Sequence, residues 1–229
     1  MTRVVSRGLL LFGVAIPMFS ALSCSAASAA VTIPDPAVDA PLAHAEGQET
    51  AVFAGGCFWG IQAVFEHVNG VLRATSGYSG GHVVNPDYDQ VSSGTTGHAE
   101  SVEVVFDPSR ITYGTLLKVF FAVAHDPTEL DRQGPDEGTQ YRSALFTTSA
   151  EQDRIARAYI AQLDAAHVYA RPIVTQVTPF SAFYPAEAYH QDFARKHPDN
   201  AYIAINDAPK VANLKKELPA LYTSDPARP

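Results

Sequence analysis

The run Gly55-Gly56-Cys57-Phe58-Trp59-Gly60 places a thiol where it could act as a nucleophile. A short apolar stretch, residues 51–54, precedes it, and an amphipathic stretch, residues 61–67, follows. That order predicts a strand-to-helix turn at Cys57. The free amides at a helix N-terminus favour a thiolate over a thiol. The glycine pair permits a tight turn and close approach of a substrate to the backbone. Phe58 and Trp59 supply apolar walls. A free cysteine beside aromatics is also a common core residue. The motif alone therefore leaves nucleophile and core cysteine both open.

Three further segments combine glycine or proline with acids and tyrosines, as catalytic loops do. The first holds Asn85-Pro86-Asp87-Tyr88 and then residues 94–100, ending in His98-Ala99-Glu100. The second, residues 134–143, contains Asp136 and Tyr141. The third, residues 183–192, contains Tyr189-His190. Each alone reads equally as ordinary turn chemistry.

Taken in order, the motifs GCFWG (56–60), GYSGG (77–81), NPDY (85–88), TGHAE (96–100), GTQYRS (138–143) and PAEAYHQ (185–191) form a specific series. Across residues 50–218 the chain resembles the A-type peptide methionine sulfoxide reductases. The resemblance implies reduction of methionine-S-sulfoxide, free or in peptides. A sulfoxide sulfur is a weak electrophile, and its oxygen leaves poorly unless protonated. Such an enzyme needs a thiolate, an acid aimed at the oxygen, and donors that hold it. The resemblance assigns Cys57 as nucleophile, Glu100 as acid, and Tyr88 and Tyr141 as phenolic donors. A partly apolar pocket would keep Glu100 protonated. Phe58 and Trp59 would cradle the S-methyl group, and Asp136 and His190 would bind the substrate main chain. His98 is read as a structural neighbour of Glu100.

Attack by Cys57 would leave a sulfenic acid. Many relatives then form a disulfide with a cysteine near the C-terminus, but residues 210–229 contain none. The expected reset is by an external thiol: a thioredoxin-like or glutaredoxin-like protein, or a small thiol. Two other readings stay in view. One is another cysteine-nucleophile enzyme, such as a thiol hydrolase recruiting His98 or His190 as base. The other is a non-catalytic redox sensor. No bound cofactor and no metal site are expected, because no His/Cys cluster has ligand spacing.

These residues need a scaffold. Strands are expected at residues 50–54, 71–78, 99–106, 142–147 and 173–177. Helices are expected at 57–67, 112–124, 149–166, from Pro185 through Tyr189-His190, and at 209–218. Val102, Val104 and Phe106 alternate onto one strand face. Loops of functional length run through 83–97 and 125–140. The order predicts a two-layer α+β fold with a mixed sheet and packed helices, on a ferredoxin-like β-α-β-β-α-β core with long functional loops.

The remaining composition bounds the setting. The 229 residues, 46% hydrophobic, suffice for one domain with a real core. A net charge of −8, with no basic aromatic patch, argues against a nucleic-acid partner. Arg3 and Arg7, the apolar stretch 9–22 and Ala27-Ser28-Ala29 read as a signal peptide over residues 1–29. Export to a periplasmic or secreted location is expected, with Cys24 as the alternative lipoprotein site. Residues 30–48, rich in Ala, Pro and Asp, read as a flexible tether. The catalytic domain is expected at 49–222 and a tail at 223–229, as a monomer.

Overall fold

The computed structural model describes residues 1–2 and 33–228. The expected signal segment, with Cys24, therefore falls almost wholly outside the described residues. The order of elements begins β1 (Glu49–Gly55), α1 (Phe58–Glu66), β2 (Val71–Ser79), α2 (Tyr88–Ser92), β3 (Ala99–Phe106) and α3 (Tyr113–Val119). It continues with β4 (Arg132–Gln133), β5 (Asp136–Glu137), β6 (Ser143–Thr147), α4 (Ala150–Ala165), β7 (Gln176–Pro179) and β8 (Phe183–Pro185). Two last helices, α5 (Phe193–Lys196) and α6 (Ala208–Glu217), close the domain.

The main sheet has the order β7-β6-β1-β3-β2-β8. Its inner four strands are antiparallel neighbours. With α1 between β1 and β2, and α3 between β3 and β6, this is the ferredoxin-like arrangement. Parallel β7 makes the sheet mixed. Strand alternation explains its two faces. Ala51, Phe53, Val102, Val104 and Leu145 join the main core under the helices. Val52, Ala54, Ala144 and Phe146 form a smaller cluster. Ile61, Val64 and Phe65 of α1 are fully buried. Each such side chain contributes roughly 1.5–3 kcal/mol of burial energy, so α1 is held firmly against the sheet.

Several segments depart from the sequence reading. The strand expected at 173–177 starts three residues later and runs over Gln176–Pro179. Val174 N–H donates to the Pro127 carbonyl at 2.8 Å, and pairing with β6 starts at Gln176. The helix expected from Pro185 is absent. Phe183–Pro185 instead pairs with the edge of β2, where proline's missing N–H is tolerated. Tyr189 and His190 lie in the turn that follows, and only Phe193–Lys196 is helical. The loop at 83–97 contains α2, started by a capping box between Asp87 and Gln90. The loop at 125–140 contains the β4-β5 hairpin. The expected helix at 112–124 ends in a wider π turn, Phe120–Ala124.

Residues 33–48, whose composition reads as a tether, lie as a strap along α3 and α4. Tyr159 OH donates to the Pro34 carbonyl at 2.7 Å, and Gln162 bonds both Ala37 N and the Asp35 carbonyl. Asp39 accepts from the Thr112 hydroxyl and from Gly114 N–H at 2.9 Å, so it caps α3 from outside the helix. An anion at a helix N-terminus is favourable. Asp39→Ala should cost about 1 kcal/mol in urea unfolding. An unchanged midpoint would show that the Asp39 cap adds nothing to the fold.

Candidate active site

Cys57 is the N-cap of α1 and only 8% exposed. The glycines before it have specific causes. Gly56 has φ +93°, and a Cβ there would lie 2.5 Å from Gln133. A Cβ on Gly55 would lie 2.9 Å from the His125 ring. The pair therefore admits the 125–140 loop rather than a substrate, correcting one sequence expectation.

A second correction concerns the thiol. Burial pushes Cys57 well above its ordinary pKa, and the carboxyls of Glu100 and Asp207 push it further. The Trp59 backbone amide opposes this without winning. In the resting site Cys57 is a neutral thiol, because lost hydration outweighs the helix terminus.

The amide of α1 serves Glu100 instead. Phe58 N–H donates to Glu100 Oε2 at 3.0 Å. Glu100 lies near the start of β3, opposite Tyr78 on β2, and is 3% exposed. Burial raises its pKa to about 8, with Asp136 and Asp207 adding to the rise and the Phe58 hydrogen bond subtracting. It is therefore a protonated acid at neutral pH.

Tyr88 opens α2, and Glu187 fixes it by accepting its backbone N–H at 2.8 Å. The same carboxylate accepts from Tyr78 OH at 2.9 Å. Tyr141 ends the short 3-10 turn Thr139–Tyr141. Burial raises the pKa of both phenols, so both remain O–H donors. Phe58 is buried between Tyr78 and His190, at ring separations of 5.9 and 5.0 Å. Trp59 stacks on Phe193 at 3.8 Å. Asp136 is half-buried in β5 and accepts from Tyr202 OH.

These groups converge on a cavity of about 170 Å³, lined by Cys57, Phe58, Trp59, Tyr88, Glu100, Asp136, Tyr141 and Tyr202. Pockets for whole drug-sized ligands run roughly 300–1,000 Å³, so this one suits the end of a side chain. Seven of the eight residues singled out from sequence line it. His190 does not. It stands behind the wall, where its Nδ1 accepts from Trp59 Nε1–H at 3.1 Å. Its ring also lies 4.5 Å from that of Tyr88. His98 is held away from the thiol, with Gly81 N–H donating to Nδ1 and the Val83 carbonyl on Nε2. Sequence reasoning missed Tyr202 and Glu187. Glu187 sits inside the PAEAYHQ motif and was a readable candidate. Tyr202 has no motif around it, and only the fold brings it to Asp136.

Comparison with known proteins agrees with this geometry. The family model "Peptide methionine sulfoxide reductase" matches residues 49–221. The chain is 58% identical over 182 residues to peptide methionine sulfoxide reductase MsrA 2 of Mesorhizobium japonicum, covering 80% of this chain and 93% of that one. It is 51% identical to the MsrA 2 of Synechocystis over 187 residues, covering 81% and 87%. Among solved structures, methionine sulfoxide reductase A of Corynebacterium diphtheriae matches with TM-score 0.58 and 35% identity, over 76% of this chain and 89% of that one. Reduced Mxr1 of Saccharomyces cerevisiae matches with TM-score 0.62 and 29% identity, over 74% and 96%. The ferredoxin-like sheet and the cavity pairing a buried thiol with a buried acid, taken with these relatives, place the chain among the oxidoreductases. The chain belongs to the A-type peptide methionine sulfoxide reductase family, whose reaction is the reduction of methionine sulfoxide.

At neutral pH Cys57 should react with iodoacetamide more slowly than a free cysteine. Rapid alkylation with a half-maximum below about pH 7 would show the helix terminus overriding burial.

Proposed function

We propose that this chain reduces methionine-S-sulfoxide, free or in proteins, through Cys57 and Glu100. The observation that carries the reading is one small cavity holding a thiol, a protonated carboxyl and two phenols. The sulfoxide methyl group lies against Phe58 and Trp59, and the oxygen faces Glu100, Tyr88 and Tyr141. Asp136, with Tyr202, meets the substrate main chain. His190 acts through Trp59.

The protonated Glu100 places no negative charge beside a forming thiolate, and it has a proton to give. Cys57 sulfur attacks the sulfoxide sulfur while Glu100 lends its proton to the oxygen. Attack forms an S–S bond, and that bond and the substrate S–O bond then break as the hydroxyl passes to the Cys57 sulfur, forming an S–O bond there. Glu100 recovers a proton from the thiol, and methionine leaves. The substrate sulfur gains two electrons and Cys57 loses two, ending as the sulfenic acid. Burial of the phenols keeps their donors fixed during this charge movement.

Cys57 is the only cysteine among the described residues. The sulfenic acid is therefore reset from outside. Two thiols of a thioredoxin-like or glutaredoxin-like protein, or of a small-molecule reductant, become a disulfide and release water. In the exported setting suggested by the N-terminal segment, the substrates are oxidised methionines of exported proteins. A hydrolase would need a histidine base at the thiol, and neither His98 nor His190 lines the cavity.

Glu100→Gln should lower kcat/KM by about 10²–10⁴-fold, with folding intact. A variant within threefold of the native rate would remove Glu100 from the mechanism. With separated epimers, the S-sulfoxide alone should turn over, and turnover of the R form alone would refute the assignment. Non-reducing peptide mapping after one turnover should reveal no intramolecular disulfide at Cys57. Such a bond would overturn the external reset.

A further inference from the structure

Behind the cavity lies a buried ion pair that the mechanism above does not use. Lys210 Nζ reaches Asp207 Oδ1 at 3.1 Å. Asp207 is completely buried and Lys210 is 5% exposed. Asp207 ends the π turn Ile203–Asp207, and Lys210 follows in the first turn of α6. A buried ion pair is often no more stabilising than apolar packing of the same volume. Stability alone therefore does not account for it.

Its position is set by Gly60. A Cβ on Gly60 would fall 2.1 Å from Asp207 Oδ1 and 2.7 Å from Lys210 Nζ. The glycine that ends the cysteine motif thus makes room for two charges, three residues after Cys57. Asp207 Oδ2 is buried and has no hydrogen-bond partner.

We infer that Asp207 and Lys210 are positioning residues for the sulfoxide-reducing site: they seat the first turn of α1 and form a charged floor beneath Cys57 and Glu100. The inference rests on the function proposed above. Its physical content is electrostatic. After burial, the Asp207 carboxylate is among the groups that hold protons on Cys57 and on Glu100. Burial raises the pKa of Asp207 itself, and Lys210 draws it, like Asp136, back toward the charged form. On the cavity side the other groups facing the pair are Asp136 and Tyr202, and Lys210 also acts on the buried His125. On the far side, Glu66, His67, Arg195, Lys215 and Tyr222 share a cleft of about 390 Å³ with Asp207. None of these eight is altered in the test.

The test compares native protein with Asp207→Asn and with the doubly neutral Asp207→Asn/Lys210→Met, each checked for folding by circular dichroism. One readout is the pH dependence of Cys57 alkylation, which needs no turnover. The other is the alkaline limb of kcat/KM for methionine-S-sulfoxide. Removing Asp207 deletes an anion and leaves Lys210 unbalanced, so both effects favour proton loss. In Asp207→Asn both profiles should move toward acid by about one pH unit. In the double variant they should move the same way by less. Unmoved profiles in the folded variants would overturn the inference, whatever happens to kcat. If Asp207→Asn does not fold, the double variant decides alone. A native protein with no sulfoxide turnover at any pH would instead sink the proposed function, while alkylation would still report on the pair.

Discussion

The hydrogen bond from Phe58 N–H to Glu100, at 3.0 Å, is the joint on which the site depends. It ties the first turn of α1 to β3. It also decides where one free amide of the helix goes: the Phe58 amide serves a buried carboxyl, while the Trp59 amide faces Cys57. Because both groups are buried, neither Cys57 nor Glu100 is charged at rest. The site stores two protons where a solvated site would store one.

The fold makes this geometry rigid. β1 and β3 are adjacent inner strands, so the Gly55-Gly56 turn and Glu100 share the same part of the sheet. The 125–140 loop locks the glycine turn from above, through His125 and Gln133. Glu187 anchors Tyr88 and Tyr78 together. Phe193 and His190 hold Trp59 through a stack and a hydrogen bond. Tyr88, Trp59 and Asp136 are each held by a neighbour. A cavity this small tolerates little movement, and these contacts explain how it is kept.

Much of this was legible in the sequence. The strand periodicity of Val102, Val104 and Phe106 and the apolar run before Cys57 marked two of the inner strands. The motif series placed seven of the lining residues. What was not legible depended on partners far along the chain. Pro185 reads as a helix start until β2 offers an open edge to Phe183–Pro185. Tyr202 becomes a site residue only because Asp136 accepts its hydroxyl. The thiolate expected from the helix terminus failed for a similar reason: sequence shows the dipole but not the depth of burial. Residues 33–48 look like a linker by composition, yet Asp39 finds the N-terminus of α3.

The central claim is that burial keeps Glu100 protonated beside Cys57 at neutral pH. Its most direct test is an infrared titration of the carboxyl groups, with Glu100→Gln as the reference. The account predicts a protonated-carboxyl band at neutral pH that disappears around pH 8 and is missing from the variant. A Glu100 band already lost below about pH 5, as for a solvated carboxyl, would contradict it.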